Sequence, residues 1–328
     1  MKIALIILAV AAGLSIVLEV LLRLLLGFGN PLIYIADREC GYLLAPDQMV
    51  RRLGNRIAIN EYSMRAGAID PLPVPETLRV LLLGDSVANG GWWTDQTDTI
   101  SEITARQLRL QLPNLATTNA QLHSKVKYSE CEVLNASANS WGPRNQLGYI
   151  KRFGLFGAKV LVLLLNTDDL FASAPNSAVV GRDRSYPDRQ PVLATAELWS
   201  RYLLPAPGSQ SIARSGETGD LVGLNLEAIR QINTEAARAN IQFLLGLTPK
   251  RHEFDEAGFR DWEVKARLRL AEFVESEKIT YIDFLPIFNS AVELPNLYRD
   301  SIHLSPKGNQ LVSQTISCQI VVLFGDKL

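Results

Sequence analysis

Five compact runs of Val, Ile and Leu, at residues 78–84, 131–136, 159–166, 241–247 and 279–284, constrain this chain more than any other feature. Each is apolar on successive residues rather than alternating, so each predicts a strand covered on both faces. Helical patterns lie between and after them, at about 97–112, 143–156, 225–239, 258–277 and 305–317. Strands that alternate with helices in this way predict a parallel sheet flanked by helices, an α/β fold. Residues 171–222 interrupt the alternation: Ser, Pro, Gly and Arg dominate there apart from a helical piece near 194–204. An insertion of that kind beside a sheet end commonly forms a lid or a recognition surface.

The first of these strands ends in Gly84-Asp85-Ser86-Val87. A serine at the carboxyl end of a central parallel strand points into the crevice where such sheets bind ligands. The helix that follows offers unpaired N–H groups and a positive dipole end to a developing oxyanion. Taken alone, G-D-S reads equally as a capped strand-to-turn corner. A nucleophilic serine needs a base, and the chain has three histidines. His123 lies in a polar stretch and His252 in a charged loop, whereas His303 belongs to Asp300-Ser301-Ile302-His303. One short loop then carries both a base and the carboxylate to orient it, and Ser305-Pro306 predicts the start of a closing helix.

Gly84-Asp85-Ser86 and Asp300-x-x-His303 resemble the first and last sequence blocks of the SGNH (GDSL-type) hydrolases, and the likeness runs over roughly residues 78–316. It implies a flavodoxin-like three-layer α/β/α fold with a five-stranded parallel sheet, and a Ser86–His303–Asp300 triad for ester hydrolysis. The inner blocks depart from the family pattern. Ser140 stands at the glycine whose N–H helps bind the oxyanion, and Asp168 at the asparagine whose side chain donates to it. A backbone N–H survives the change to serine if serine can adopt the required φ. A carboxylate aimed at an oxyanion repels it. Three outcomes follow: burial holds Asp168 protonated, a neighbouring amide (Asn139 or Asn166) donates instead, or the chemistry is impaired.

Met1 to Phe28 is apolar apart from Lys2, Glu19 and Arg23, and is long enough to span a bilayer. Glu19 and Arg23, four residues apart, share one helical face and can pair or snorkel. Lys2 favours a cytoplasmic amino end, so the expectation is a single-pass anchor with the catalytic part outside the cytoplasm, periplasmic in a bacterium. A signal peptide cleaved near Ala9-Val-Ala11 and a secreted product are the alternative. Residues 29–76 read as a linker and small β appendage, with a hairpin near 49–60, and 77–328 as the hydrolase domain. Within the appendage, Asn60 to Arg65 resembles an N-x-x-G-[FM]-R segment of membrane-anchored relatives, with Ser63 in the glycine position.

A net charge of −1 gives no electrostatic case for nucleic acid. Cys40, Cys131 and Cys318 form no metal-ligand or C-x-x-C spacing, Cys131 and Cys318 read as buried, and neither metal nor cofactor is expected. Arg182 to Arg184 and Lys250 to His252 read as solvated mixed patches. Trp92, Trp93 and Trp141 follow strand ends and could form a platform for a sugar or acyl chain, or pack the crevice rim. The expected function is hydrolysis of O-acyl, chiefly acetyl, esters of a carbohydrate. The alternatives are acyl transfer to an exported polysaccharide and a carbohydrate-binding protein on a decayed hydrolase fold.

Overall fold

The structure, a computed structural model, describes residues 1–121, 128–204, 217–254, 258–291 and 294–325. His123 lies outside the described residues. Helix α1 (Lys2–Leu26) is followed by two antiparallel hairpins, β1 (Tyr34–Asp37) with β2 (Gly41–Leu44), and β3 (Gln48–Arg52) with β4 (Asn55–Ile59). Leu53 and Gly54 join β3 to β4 with φ of 48° and 92°, the double positive-φ turn that matches strand twist. The core begins with β5 (Thr77–Gly84), the short α2 (Ser86–Asn89), α3 (Ile100–Gln121), β6 (Glu130–Ser137), α4 (Pro143–Phe153) and β7 (Val160–Asn166). After the insertion, which contributes α5 (Ala194–Leu198) and a π turn at Trp199–Leu203, come α6 (Leu221–Arg238), β8 (Gln242–Thr248), α7 (Asp261–Ser276), β9 (Thr280–Asp283), α8 (Phe284–Asn289) and α9 (Pro306–Gly325).

The five core strands form one parallel sheet in the order β6-β5-β7-β8-β9. Every residue of β5 is buried, and its side chains divide between the faces with the two-residue period of a strand. Leu78, Val80 and Leu82 pack with α3, α8 and α9 on one face, while Leu81 and Leu83 pack with α4, α6 and α7 on the other. This is the three-layer α/β/α arrangement. β6 and β7 lie on opposite sides of β5, so the chain order reverses there and opens a crevice at the carboxyl end of β5. Gly84 closes the strand because a side chain would not fit: a Cβ would come within 2.5 Å of the Ala88 methyl.

The β appendage shares the core, since Tyr42, Leu43, Val50, Ile57 and Met64 join the same apolar cluster as Leu81 and Leu83. Its last segment buttresses the crevice. Asn60 Oδ1 accepts from the N–H groups of Tyr62 and Met64, which lets Ser63 turn at φ 60°. The buried Arg65 then donates to the carbonyls of Asn89 (2.6 Å), Gly91 (2.5 Å) and Thr94 (2.5 Å). It thereby fixes the loop that carries Trp92 and Trp93. Burial lowers the Arg65 guanidinium to about 10.

Several expectations need correction. Trp141 is a core residue, fully buried, with its indole N–H on the Tyr42 carbonyl at 3.1 Å. Cys318 is exposed rather than buried, and all three cysteines are free. Lys250 and His252 pair with Asp168 and Glu263 instead of lying in solvent. Asp183 is likewise buried, accepting from the Ser185 N–H, and Arg184 holds the carbonyls of Ser200 and Leu204.

Candidate active site

Ser86 is the first residue of α2, and Asp85 caps that helix: its Oδ1 accepts from the Val87 N–H at 2.8 Å. The Ser86 hydroxyl therefore sits where strand gives way to helix. His303 reaches it from the loop ahead of α9, with Nε2 3.0 Å from Ser86 Oγ. The other ring nitrogen, Nδ1, lies 2.8 Å and 3.0 Å from the two oxygens of Asp300. Asp300 Oδ1 also accepts from the N–H groups of Ile302 (3.0 Å) and His303 (2.9 Å), so the three-residue spacing folds the loop back onto its own carboxylate. Burial pushes the Asp300 carboxyl up, but these N–H groups and the imidazole outweigh it and hold the group below its ordinary value. Ser305 Oγ accepts from the Gly308 N–H and Pro306 opens α9, which anchors the loop at its far end.

One face of the imidazole is covered by Trp93, with ring centroids 4.3 Å apart. Arg299 lies 4.8 Å from the Trp93 ring and 4.9 Å from that of Trp92. Neither contact was expected from sequence, because nothing in the spacing of 93, 299 and 303 marks them as neighbours.

The opposite wall of the crevice follows β7. Asn166 is buried and fully committed: Nδ2 donates to Asp85 Oδ2 (2.9 Å) and Asp169 Oδ2 (3.0 Å), and Oδ1 accepts from the Asp168 N–H (2.8 Å). Asp169 Oδ2 accepts from the Asn166 N–H as well, at 2.9 Å. Two buried carboxyls thus face one amide. Burial raises both, and for Asp169 the neighbouring Asp85 charge adds to it, lifting Asp169 well above the carboxylate range. Of the two, Asp169 is the one that the neighbouring negative charge pushes further towards the protonated form. Asp168 lines the cavity, but its side chain is half exposed and paired with Lys250 Nζ at 2.7 Å. The burial that the first of the three outcomes required is thus not found at Asp168.

Ser140 has φ 56°, the left-handed conformation that glycine would supply, and the insertion supports it: the Tyr186 hydroxyl donates to Ser140 Oγ at 2.9 Å. The Tyr42 hydroxyl donates to the Asn139 carbonyl at 2.5 Å, holding the same loop. The Asn139 side chain is half-buried, and its Oδ1 meets no donor among the described residues. Of the amides on this side, Asn139 is uncommitted and Asn166 is not. Nothing in the sequence marks Tyr42 or Tyr186 as part of the site, since one lies in the appendage and the other in the irregular insertion.

A cavity of about 650 Å³ joins these groups, lined by Ser86, His303, Asn139 and Ser140 at one part and by Arg52, Glu197 and Arg201 at another. Among the described residues no cluster of His, Cys, Asp and Glu could hold a metal ion.

Residues 82–311 match the GDSL-like Lipase/Acylhydrolase family. The chain belongs to this family. As a GDSL-type hydrolase it is an ester-hydrolysing enzyme. Comparison with curated proteins returned no match. Among solved structures, the GDSL chain is similar to a lipase/acylhydrolase from Enterococcus faecalis, at 13% identity over 74% of this chain and 95% of that one, with a TM-score of 0.43. A member of the lipolytic protein G-D-S-L family from Veillonella parvula shares 12% identity over 72% of this chain and 94% of that one, at a TM-score of 0.39. A catalytic mutant of an acetylxylan esterase from Geobacillus stearothermophilus shares 10% identity over 74% and 93%, at 0.40.

Proposed function

We propose that Ser86 is the nucleophile of a serine esterase that removes O-acyl groups, chiefly acetyl, from a carbohydrate. The observation that carries the reading is the unbroken line from Ser86 Oγ to His303 Nε2 (3.0 Å) and from His303 Nδ1 to Asp300 Oδ2 (2.8 Å). In this reading Nδ1–H donates a hydrogen bond to Asp300 and keeps its proton, which leaves Nε2 free to accept the serine proton. Ser86 Oγ bonds to the ester carbonyl carbon while its proton passes to His303. The tetrahedral intermediate collapses as His303 returns that proton to the departing sugar oxygen. Water, deprotonated by His303, then attacks the acyl-serine and releases the carboxylic acid. Asp300 keeps its charge throughout and stabilises the imidazolium, and its lowered pKa suits that role.

For the oxyanion we assign the N–H groups of Ser86 and Ser140 and the side-chain amide of Asn139. Asn166 and Asp168 have the partners described above and serve as scaffold. The lining supports a sugar: Trp92, Trp93 and Phe171 bring aromatic side chains to the cavity wall, while Asn30 and Ser185 bring polar groups to it. We place the catalytic domain outside the cytoplasm, behind α1. A fluorophosphonate probe should label the native enzyme and leave Ser86→Ala unlabelled. Acyl release from acetylated glycans should exceed release from simple short-chain esters. Folded native protein that takes up no probe would sink the esterase reading.

A further inference from the structure

Helix α1 leaves the enzyme from a fixed socket. Glu19 accepts from the N–H groups of Ala194 (2.7 Å) and Thr195 (3.0 Å) and from the Thr195 hydroxyl (3.0 Å), at the start of α5. Arg23 ties Glu19 (2.7 Å) to the Val192 carbonyl (2.7 Å). Leu22 and Phe28 bury against Ala194 with Leu198 beside them, and the Phe28 ring meets Tyr202 edge-on at 6.1 Å. A second element closes on the same end of the helix: the Leu53 N–H, at the β3–β4 turn, donates to the Leu26 carbonyl at 3.0 Å. The two charges that interrupt the apolar helix are thereby used to dock it.

Around that socket lies a rim of large apolar side chains without cover. Val192 is 91% exposed, Trp199 58%, Tyr202 56% and Leu203 60%, and Leu193 and Leu53 are exposed with them. Single exposed apolar residues are ordinary, but a contiguous set marks an interaction surface. Its continuity with α1 decides what covers it. At 1.5 Å per residue, the uncharged stretch ahead of Glu19 reaches roughly 25 Å, close to the thickness of a bilayer core. Side chains of α1 from Ile3 to Leu25 are exposed on all sides apart from the docked turn, the pattern of a helix surrounded by hydrocarbon. The rim stands where that phase ends. Trp and Tyr favour this headgroup level, and Arg51, exposed next to the β3–β4 turn, adds a cation for anionic lipid.

We propose that Val192–Leu204 and the turn at Leu53 form a collar that seats in the headgroup region of a lipid bilayer. The collar holds the catalytic domain in one orientation against the membrane and stops it swinging from a tether. This rests on α1 being retained as an anchor. The collar and the catalytic cavity share Glu197 and Arg201, and Asn30 to Leu32 line that cavity directly after the helix, so seating sets the cavity beside the bilayer surface.

The test uses the full chain in phosphatidylcholine–phosphatidylglycerol vesicles, in a Cys318→Ser background whose remaining cysteines are buried. An environment-sensitive fluorophore is placed on Leu203→Cys or, as a remote control, on Leu110→Cys, which is 76% exposed on α3. The Leu203→Cys label should be quenched several-fold more strongly by lipids brominated high on the acyl chain than by aqueous iodide, and the Leu110→Cys label the reverse. Equal iodide access at both positions would overturn the proposal. So would shielding of Leu203→Cys from iodide without quenching by brominated lipid, which means that a second copy covers the collar. Membrane-extracted protein whose mass lacks α1 would overturn it too. None of these readouts depends on ester hydrolysis, so failure here leaves the esterase reading standing.

Discussion

The two walls of the crevice solve the same problem, holding polar groups in place, in opposite ways. On the His303 wall each group has its partner within one hydrogen-bonded line: Ser86, His303 and Asp300 point along one path and their remaining contacts orient that path. On the β7 wall the groups that sequence offers as oxyanion donors satisfy one another instead. Asn166 is held between Asp85 and Asp169, and Asp168 is held by Lys250. No hydrogen bond of that kind holds the Asn139 side chain among the described residues, and it is the amide that we assign to the substrate. A nucleophile is recognised by who its partners are; an oxyanion donor is recognised by having none.

The largest effect expected is on the His303 wall. Ser86→Ala and His303→Ala should each lower kcat by about 10⁴-fold or more, and the double variant should cost little beyond either one. Asp300→Asn should cost less, roughly 10²-fold, because Asp300 is half exposed and water can replace part of its contact. Steady-state kinetics on one ester substrate reads all four. Substantial turnover by Ser86→Ala would remove that wall from the comparison altogether.

The β7 wall is tested by a pair. Asn139→Ala should lower kcat by about 10²–10³-fold with KM little changed, the loss of one oxyanion donor. Asp168→Asn should stay within roughly threefold of the native enzyme, since the loss is that of a half-exposed ion pair. The opposite ranking would mean that Asp168 works as the donor and Asn139 as scaffold, and the contrast between the walls would fail.

A smaller effect separates support from donation. Tyr186→Phe removes the hydroxyl that holds Ser140 Oγ, and should lower kcat about three- to tenfold, the scale of one neutral hydrogen bond. In a Ser140→Gly background the same change should have no further effect on kcat, because the hydroxyl then has no Oγ to hold. Equal losses in both backgrounds would show that Tyr186 acts on the substrate directly.

The sheet and the His303 wall were legible in the sequence for the same reason: both depend on residue types at short spacings. Uniformly apolar strands announce burial on both faces, and Asp300-x-x-His303 folds back on itself within one loop. Ser63 and Ser140 were legible once φ was considered, since both occupy glycine positions and both adopt positive φ, at 60° and 56°. What could not be read was the allocation of hydrogen bonds. Asn166 and Asn139 look alike in sequence, and only the approach of Asp85 and Asp169, 81 and 3 residues from Asn166, decides which is occupied. Trp93, Tyr42 and Tyr186 reach the site from three separate segments without a shared motif. Trp141, two residues before a helix and apolar by type, reads equally as platform or as packing, and only its burial decides for packing.

The last and smallest prediction concerns how the β7 wall stays together. Asp169 is buried beside Asp85, so its folded pKa lies above its unfolded one, near 4. The folded state then binds the proton more tightly than the unfolded chain does. The stabilisation from that proton is complete below the unfolded pKa and is lost as pH rises towards the folded pKa. Asp169→Asn keeps an acceptor oxygen for the Asn166 N–H and Nδ2 and cannot ionise in either state. Its Tm should match the native value near pH 4 and exceed it by roughly 2–4 °C at pH 7–8, with the gap widening between. A gap that is constant or shrinks with pH would show that Asp169 is ionised in the fold. Asn166 would then be balancing two negative charges, a far stronger hold on its amide, and the β7 wall would be rigid through charge where we read it as rigid through hydrogen bonds to a neutral Asp169.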